Sequence, residues 1–377
     1  MSKWPEKYII GLTGNIATGK SVVRKMLEHL GAYGIDADAL AHRAIAKDAP
    51  GYQPVLDIFG NWLLDANGQI DRAKLGQLVF SEAQALAQLE AIVHPLVGQA
   101  IDLLVRRASQ PVIVVEAIKL IESKIANACD AVWVAYSPET IQKGRLMAKR
   151  GMSEVDALQR IHMQPPQEKK IAAADVVINN TNTFEETWKQ VVDAWKVISP
   201  LSDTSPTVIK DSKPGELAVQ RGRPRDSGII AELITRLSGG TRPTTHNDVM
   251  AAFGDRAYLL LRSGNQYVGL IGWQVENLVA RTTEIYIDPA IPVKQAVQSL
   301  ASEVEQAAKD LQCEASLIFL PPQMALQQAV WRELGYMGRT PQSLGVQAWK
   351  DAAIESQPPN TIMLFKQLRP DRVLRPI

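Results

Sequence analysis

Tyr8-Ile-Ile-Gly-Leu-Thr-Gly14-Asn-Ile-Ala-Thr-Gly19-Lys20-Ser21 decides the fold of the first half of the chain. A short apolar run leads into G-x-x-x-x-G-K-S, and the segment from Val22 to Leu30 that follows has the character of a helix. Strand, glycine-rich turn and helix N-terminus form the context in which this spacing binds phosphate. Glycines at 14 and 19 permit a turn tight enough to aim successive backbone N–H groups at one anion. The positive end of the following helix dipole adds to them. Gly14, Asn15, Ile16, Ala17, Thr18, Gly19, Lys20, Ser21 and Val22 are therefore the expected nucleotide-phosphate site. The Lys20 ammonium is expected on the outer phosphates and the Ser21 hydroxyl on Mg²⁺.

Working outward, a glycine at 31 ends the helix and a short second strand runs to Asp36-Ala-Asp38, beside a new helix. Strand C-termini of a parallel sheet share one edge, so both carboxylates are expected near the phosphate loop; one of them also suits the helix N-cap. The stretch from Pro50 to Gln110 reads as mostly helical, with turns at Gly51, Gly60 and Asn67-Gly68. At His94-Pro95 the proline is expected to interrupt the helical pattern. Val112-Ile-Val-Val-Glu116 and Ala131-Val-Trp-Val-Ala-Tyr136 are continuous apolar strands suited to a sheet covered on both faces. Ser137-Pro-Glu-Thr reads as an N-cap with proline at the first helical position. From Ile141 to Lys170 a basic helical region carries Lys143, Arg145, Lys149, Arg150, Arg160, Lys169 and Lys170, most of them expected on a solvated face. Asp175 to Asn180 supplies a last strand and Phe184 to Ile198 a closing amphipathic helix. The alternation predicts a doubly wound α/β fold.

With 377 residues, 46% of them hydrophobic, the chain suffices for two cores. Its 41 basic and 40 acidic residues give no electrostatic footprint for bulk nucleic acid or membrane. Cys129 and Cys313 stand far apart without metal-ligand spacing, which points to a reduced compartment. No apolar run approaches the ~20 residues of a membrane span, and Met-Ser-Lys-Trp-Pro-Glu-Lys has no signal-peptide pattern. A cytoplasmic protein is the expectation.

From residue 8 to 198 the chain resembles the dephospho-coenzyme A kinase family. The resemblance is carried by G-L-T-G-N-I-A-T-G-K-S at 11–21, I-D-A-D at 35–38, H-P-L at 94–96, S-P-E-T at 137–140, R-L-M-A-K-R at 145–150 and A-D-V-V-I-N-N at 174–180. It implies a P-loop kinase core with a helical substrate region and a lid. The activity implied is ATP-dependent phosphorylation of the ribose 3′-hydroxyl of dephospho-coenzyme A, the last step of coenzyme A biosynthesis, with ATP and Mg²⁺ as cofactors. On this resemblance Asp38 faces the 3′-hydroxyl, and Lys20 and Arg145 complete the catalytic set. Asp36, His94, Glu116 and Lys119 are substrate-binding positions, and Arg145, Arg150 and Arg160 belong to the lid, with Arg145 over the transferring group. Where the family usually reads I-P-L-L-F-E after an acidic residue, this chain has Glu116-Ala-Ile-Lys119-Leu-Ile-Glu122. Lys119 either reaches solvent or meets a substrate phosphate or carboxylate. Thr181, where the family commonly has glycine, is read as a turn variant. Another small-molecule or nucleoside kinase is the alternative within this fold. A GTPase would want N-K-x-D, which is absent, and Asp57-Ile-Phe-Gly60 lacks a buried strand before it.

Residues 199–214, rich in Ser, Thr and Pro, read as a linker between a kinase domain at 1–198 and a second domain at 215–377. In the second, Leu217 to Asp226 leads from a strand into a helix at Gly228–Leu237, and 257–262 with 267–275 form a hairpin. A strand at 283–287 precedes a helix at 293–311; a strand at 316–320, a helix at 326–334 and a strand at 361–367 follow. With R-x-R-P-x-D at 221–226 and W-R-E-L-G-Y at 331–336, this α+β order is similar to the GNAT acetyltransferase superfamily. That family cradles acyl-coenzyme A with a glycine-containing turn before the long helix. Asp288-Pro-Ala-Ile-Pro-Val-Lys-Gln-Ala-Val-Gln-Ser contains no glycine, so a non-catalytic domain is expected, with a structural or oligomerising role. Arg221-Gly-Arg-Pro-Arg225 also resembles a minor-groove-binding arm, a remote DNA-binding alternative that the neutral chain does not support.

Overall fold

The computed structural model describes residues 3–123, 125–198 and 217–369, so the expected linker at 199–214 lies outside the described residues. The first half runs β1 (Tyr8–Thr13), α1 (Lys20–His29), β2 (Tyr33–Asp36), α2 (Ala37–Ala44), α3 (Tyr52–Phe59), α4 (Arg72–Ser81), α5 (Ala83–Arg107), β3 (Val112–Glu116), β4 (Ala131–Tyr136), α6 (Glu139–Arg150), α7 (Glu154–His162), α8 (Gln167–Ala172), β5 (Val176–Asn179) and α9 (Phe184–Ile198). Its five strands pair in the order β2-β3-β1-β4-β5, every pair parallel. The chain leaves β1 toward β2 on one side and β4 toward β5 on the other, so the sheet has its switch point between β1 and β4, at the phosphate loop.

The apolar runs explain the layering. All five residues of β3 are buried, as a central strand covered on both faces requires. Ile9, Ile35, Ile113 and Val115 pack with α2 and α5 on one face; Ile10, Leu12, Val114 and Trp133 pack with Val23, Leu27 and Trp195 on the other. Edge strand β5 is half open, with Val177 exposed. Pro95 does not break the helical pattern as expected: α5 is one 25-residue helix with Pro95 inside it. Pro95 and Ala91 are both exposed, so the carbonyl that loses its N–H partner is solvated.

The second half runs β6 (Leu217–Gly222), α10 (Ser227–Leu237), α11 (His246–Ala252), β7 (Ala257–Ser263), β8 (Gln266–Glu276), β9 (Val279–Ile287), α12 (Val293–Asp310), β10 (Ala315–Leu320), α13 (Pro322–Ala325), α14 (Gln328–Glu333), β11 (Met337–Gly338), α15 (Gln347–Ser356) and β12 (Ile362–Gln367). These strands form a seven-stranded sheet, β11-β12-β10-β9-β8-β7-β6, in which only β9 and β10 are parallel. It is the α+β unit the second half was expected to form. Three details differ from expectation. Strand β9 starts four residues earlier, at Val279; the helix expected over 326–334 is the shorter α14, Gln328–Glu333; and α11, α13, α15 and the short strand β11 were not anticipated.

The two sheets meet through specific contacts. Arg43 on α2 donates to both carboxylate oxygens of Glu314 at 2.7 Å and, through its other nitrogen, to Asn277 O at 2.8 Å. His29, at the end of α1, holds Phe253 O at 2.8 Å, and Lys25 Nζ donates to Val275 O at 2.9 Å. Arg221, the first residue of the basic run, pairs opposite Leu259 within the sheet and donates to Glu28 O at 3.2 Å. The run thus begins in β6 with Arg221 and Gly222 and continues into a helical turn at Pro224–Asp226, the strand-to-helix path its acetyltransferase-like reading requires, and Arg221 takes part in the contact between the halves. Among the described residues no helix is long and apolar enough to cross a membrane.

Candidate active site

The turn between β1 and α1 is closed by contacts that only glycines allow. A Cβ on Gly14 would lie 2.4 Å from Ala135 O. Gly19 has φ +92°, and a Cβ there would lie 1.9 Å from Asn180 Nδ2. Inside the turn, Thr18 Oγ1 donates to Asn15 O at 2.9 Å and Lys20 Nζ reaches the same carbonyl at 3.3 Å. The Lys20 ammonium is buried, and burial lowers its pKa against the opposing pull of Glu116, Asp38 and Asp36.

Outside the turn, Asn180 Nδ2 donates to Thr18 O at 2.9 Å. Arg145 donates to Ala17 O at 3.1 Å, Thr18 O at 3.3 Å, Ser137 Oγ at 3.0 Å and Asn180 O at 2.7 Å. This guanidinium braces the back of the loop and ties it to the end of β5. Ser137, expected as a helix cap, is fully buried and donates instead to Asn180 O at 2.7 Å; the cap of α6 is Pro138. The segment between α7 and α8 also reaches the loop, with Gln164 Oε1 accepting from Ile16 N at 2.7 Å and Pro165 O from Asn15 Nδ2 at 2.9 Å.

The acidic residues at the strand ends separate into two groups. Glu116 accepts from Ser21 Oγ at 2.9 Å and from Arg24 Nε at 2.7 Å, so it sits against the Ser21 end of the loop. Asp36 caps α2, accepting from Ala39 N at 2.8 Å; burial and the neighbouring Glu116 charge push its carboxyl up to about 6. Asp36 faces a second cavity, between the halves, and does not line the main cleft. Asp38 does line the main cleft. Its Oδ2 accepts from Ile118 N at 3.1 Å; burial raises its pKa, while this N–H and the Lys20 charge restrain the rise.

Ile118 is a junction that sequence reasoning missed. Its N–H holds Asp38, and its carbonyl accepts from Thr13 Oγ1 at 3.1 Å and from Lys170 Nζ. Lys170, one of the cations of the 141–170 region, most of which were expected on a solvated face, is in fact buried, its pKa lowered by that burial. Only the fold brings it beside Asp38, and no local pattern signals it.

The main cleft encloses about 2240 Å³ and runs from the phosphate loop past Asp38 to His94, Lys119, Arg150 and Arg160. The structure therefore brings these expected residues to one space. Lys119 pairs with Glu90 at 2.8 Å on the rim, which answers its charge without a substrate group. The donor set beside the loop, Ser21 Oγ and the Glu116 carboxylate, consists of hard oxygens suited to Mg²⁺. Among the described residues no cluster of three His, Cys, Asp or Glu side chains is arranged to hold a metal alone.

In the second half the turn from β9 to α12 is closed by its own residues. Asp288 Oδ1 accepts from Ala290 N at 3.0 Å, and Asp288 Oδ2 pairs with Arg236 at 3.0 Å. Pro289 and Pro292 carry no N–H, and Pro292 is the cap of α12.

A family model of dephospho-CoA kinases matches residues 8–186. A dephospho-CoA kinase of Carboxydothermus hydrogenoformans is 43% identical over 194 residues, which span 50% of this chain and 94% of that protein. Among solved structures, TT1252 from Thermus thermophilus is similar at 32% identity, covering 52% of this chain and 98% of its own, with a TM-score of 0.47. The ribosomal-protein-S18-alanine N-acetyltransferase from Escherichia coli is similar at 11% identity, covering 42% of this chain and 97% of its own, with a TM-score of 0.33. With its phosphate loop, Asp38 and the buried Lys20 gathered on one cleft, and with nearly the whole of such a relative aligned to its first half, the chain belongs to the dephospho-CoA kinase family.

Proposed function

We propose that the chain transfers the γ-phosphoryl group of ATP to the ribose 3′-hydroxyl of dephospho-coenzyme A, yielding coenzyme A and ADP. One observation carries the reading: a carboxylate, Asp38, fixed by the Ile118 N–H, shares a single cleft with the Lys20 ammonium at the phosphate loop. Phosphoryl transfer runs through a loose transition state, so positioning and charge stabilisation dominate over covalent chemistry. Lys20, desolvated and held at the loop, meets charge developing on the β- and γ-oxygens where the local dielectric makes it effective. Ser21 Oγ and the Glu116 carboxylate are the groups that would hold Mg²⁺, which would supply further neutralisation of those oxygens. Asp38 orients the 3′-hydroxyl and receives its proton as the new O–P bond forms and the bond to the β-phosphate oxygen breaks. Its raised pKa makes it a better late proton acceptor than a solvated carboxylate. Arg145 keeps the loop in its binding shape through Ala17 O and Thr18 O, and Arg150 and Arg160 line the same cleft from the lid.

The second half is assigned no acyl transfer. The turn before α12 offers a carboxylate and two prolines where a pyrophosphate would need free N–H groups.

The test is coenzyme A formation from Mg·ATP and dephospho-coenzyme A by the full chain, with Lys20→Ala as the inactive control. Asp38→Asn is expected to lower kcat by about 10²- to 10⁴-fold, the range of a positioned general base, with ATP affinity retained. Near-wild-type turnover in Asp38→Asn would remove this carboxylate from the mechanism.

A further inference from the structure

The cleft has a third wall. Phosphates are held at Gly19–Ser21, and the acceptor end carries Asp38, His94 and Lys119. The donor's nucleoside must then extend the other way, toward Val22, Asn182 and Phe184, and there the lining includes Ala251, Gly254 and Asp255 of the second half. The approach is close. A Cβ on Gly254 would lie 3.5 Å from Val22 Cγ1 and 3.6 Å from Phe184 Cε2. The segment is fixed by its neighbours: Phe253 O is held by His29 at 2.8 Å, and the Phe253 ring meets the His29 ring edge-on at 5.3 Å. Gly254 N and Asp255 N close the last turn of α11 onto Ala251 O and Ala252 O, both at 3.0 Å.

Asp255 itself is exposed, lines both the main cleft and the cavity between the halves, and its carboxylate engages no donor among the described residues. A rigid backbone thus presents an unused bidentate acceptor beside the nucleoside end of the cleft. The chemical group that answers such an acceptor on a nucleoside is the vicinal diol of the ribose. The Carboxydothermus hydrogenoformans relative is matched over 94% of its length within half of this chain, so this wall is an addition to what that enzyme contains.

We propose that the second half completes the donor-nucleotide site and that Asp255 binds the ribose hydroxyls of ATP. This rests on the kinase reading of the cleft. The experiment is therefore equilibrium binding to the full chain, which needs no turnover, run alongside the coenzyme A assay that tests the kinase reading. Calorimetric Kd values are measured for ATP and 2′,3′-dideoxy-ATP on the wild type, Asp255→Ala and Asp255→Asn. Binding abolished by Lys20→Ala identifies the phosphate-loop site. In the wild type, removing both hydroxyls is expected to weaken binding by ~10-fold, the low end for hydrogen bonds to a charged group because Asp255 is exposed. In Asp255→Ala, ATP is expected to weaken by the same factor and the two nucleotides to bind alike. An equal preference for ATP in wild type and Asp255→Ala would overturn the proposal, as would wild-type binding indifferent to the hydroxyls. Loss of coenzyme A formation with the thermodynamic cycle intact would instead strike the acceptor assignment alone.

Discussion

The chain contains two strand–turn–helix crossovers at which an anion would be expected to bind, and the structure treats them oppositely. After β1, glycines let the backbone wrap inward, and Lys20 lies buried with its ammonium on the Asn15 carbonyl. After β9, Asp288 takes the Ala290 N–H for itself, and proline occupies the cap position of α12. Both helices carry the same dipole. What separates a phosphate site from a closed turn is therefore the local supply of free N–H groups and the sign of the nearest side chain, not the architecture.

The comparison breaks most sharply at Gly19. Gly19→Ala forces a Cβ into the Asn180 amide from a backbone at φ +92°, so the turn must open. ATP binding is expected to fall by more than ~100-fold, because the donor array collapses while the desolvation of Lys20 remains. Calorimetry on the variant, with unfolding temperature measured alongside, checks this. Retained ATP affinity would mean that the glycine geometry is not what makes this turn a phosphate site.

A smaller effect concerns the far end of α1, where the two halves meet. His29 is pushed down to about 4, chiefly by burial, with Arg221 adding to the shift and the Phe253 carbonyl opposing it. The folded state thus binds this proton less readily than the unfolded chain, whose histidine titrates near ~6.5. Stability from this group is complete above ~6.5 and declines as pH falls toward 4. With the ring only half-buried, the loss is expected to be about 1–2 kcal/mol. Unfolding temperatures of wild type and His29→Gln should diverge at neutral pH and converge near pH 4.5; parallel curves would remove His29 from the acid response.

Much of this was legible beforehand, for a physical reason. The phosphate loop, β3 and the Asp36–Asp38 pair are local: a few adjacent residues fix their backbone and their place at the sheet edge. Gly-x-x-x-x-Gly-Lys-Ser needs only its own strand and helix to be read. Arg145 bracing Thr18 O, Lys170 reaching Ile118 O and Asp255 lining the donor cleft are different. Each joins residues far apart in the chain, and a basic residue on a helix looks alike whether its partner is water or a carbonyl folded beside it. Pro95 failed as a signal for a related reason. A proline marks a missing N–H, but the long apolar face of α5, with Val93, Val97 and Ile101 buried, outweighs the loss of one hydrogen bond at the surface.

The smallest expected effect sharpens the comparison from the other turn. In the wild type, acetyl-coenzyme A that dephospho-coenzyme A cannot displace is expected to be undetectable; a stoichiometric second site would end the distinction between the two crossovers. Asp288→Ala removes the carboxylate, frees the Ala290 N–H and releases Arg236 from its partner. If charge alone closed this turn, the variant would bind acetyl-coenzyme A tightly. Pro289 and Pro292 remain, however, and no residue from Asp288 to Val293 is a glycine that could bring the backbone onto a pyrophosphate. The gain in affinity is therefore expected to stay below ~10-fold, the scale of one surface charge removed from beside an anion. A larger gain on titration would show that Asp288 alone holds the second crossover shut, and that its backbone had kept the capacity the first one uses.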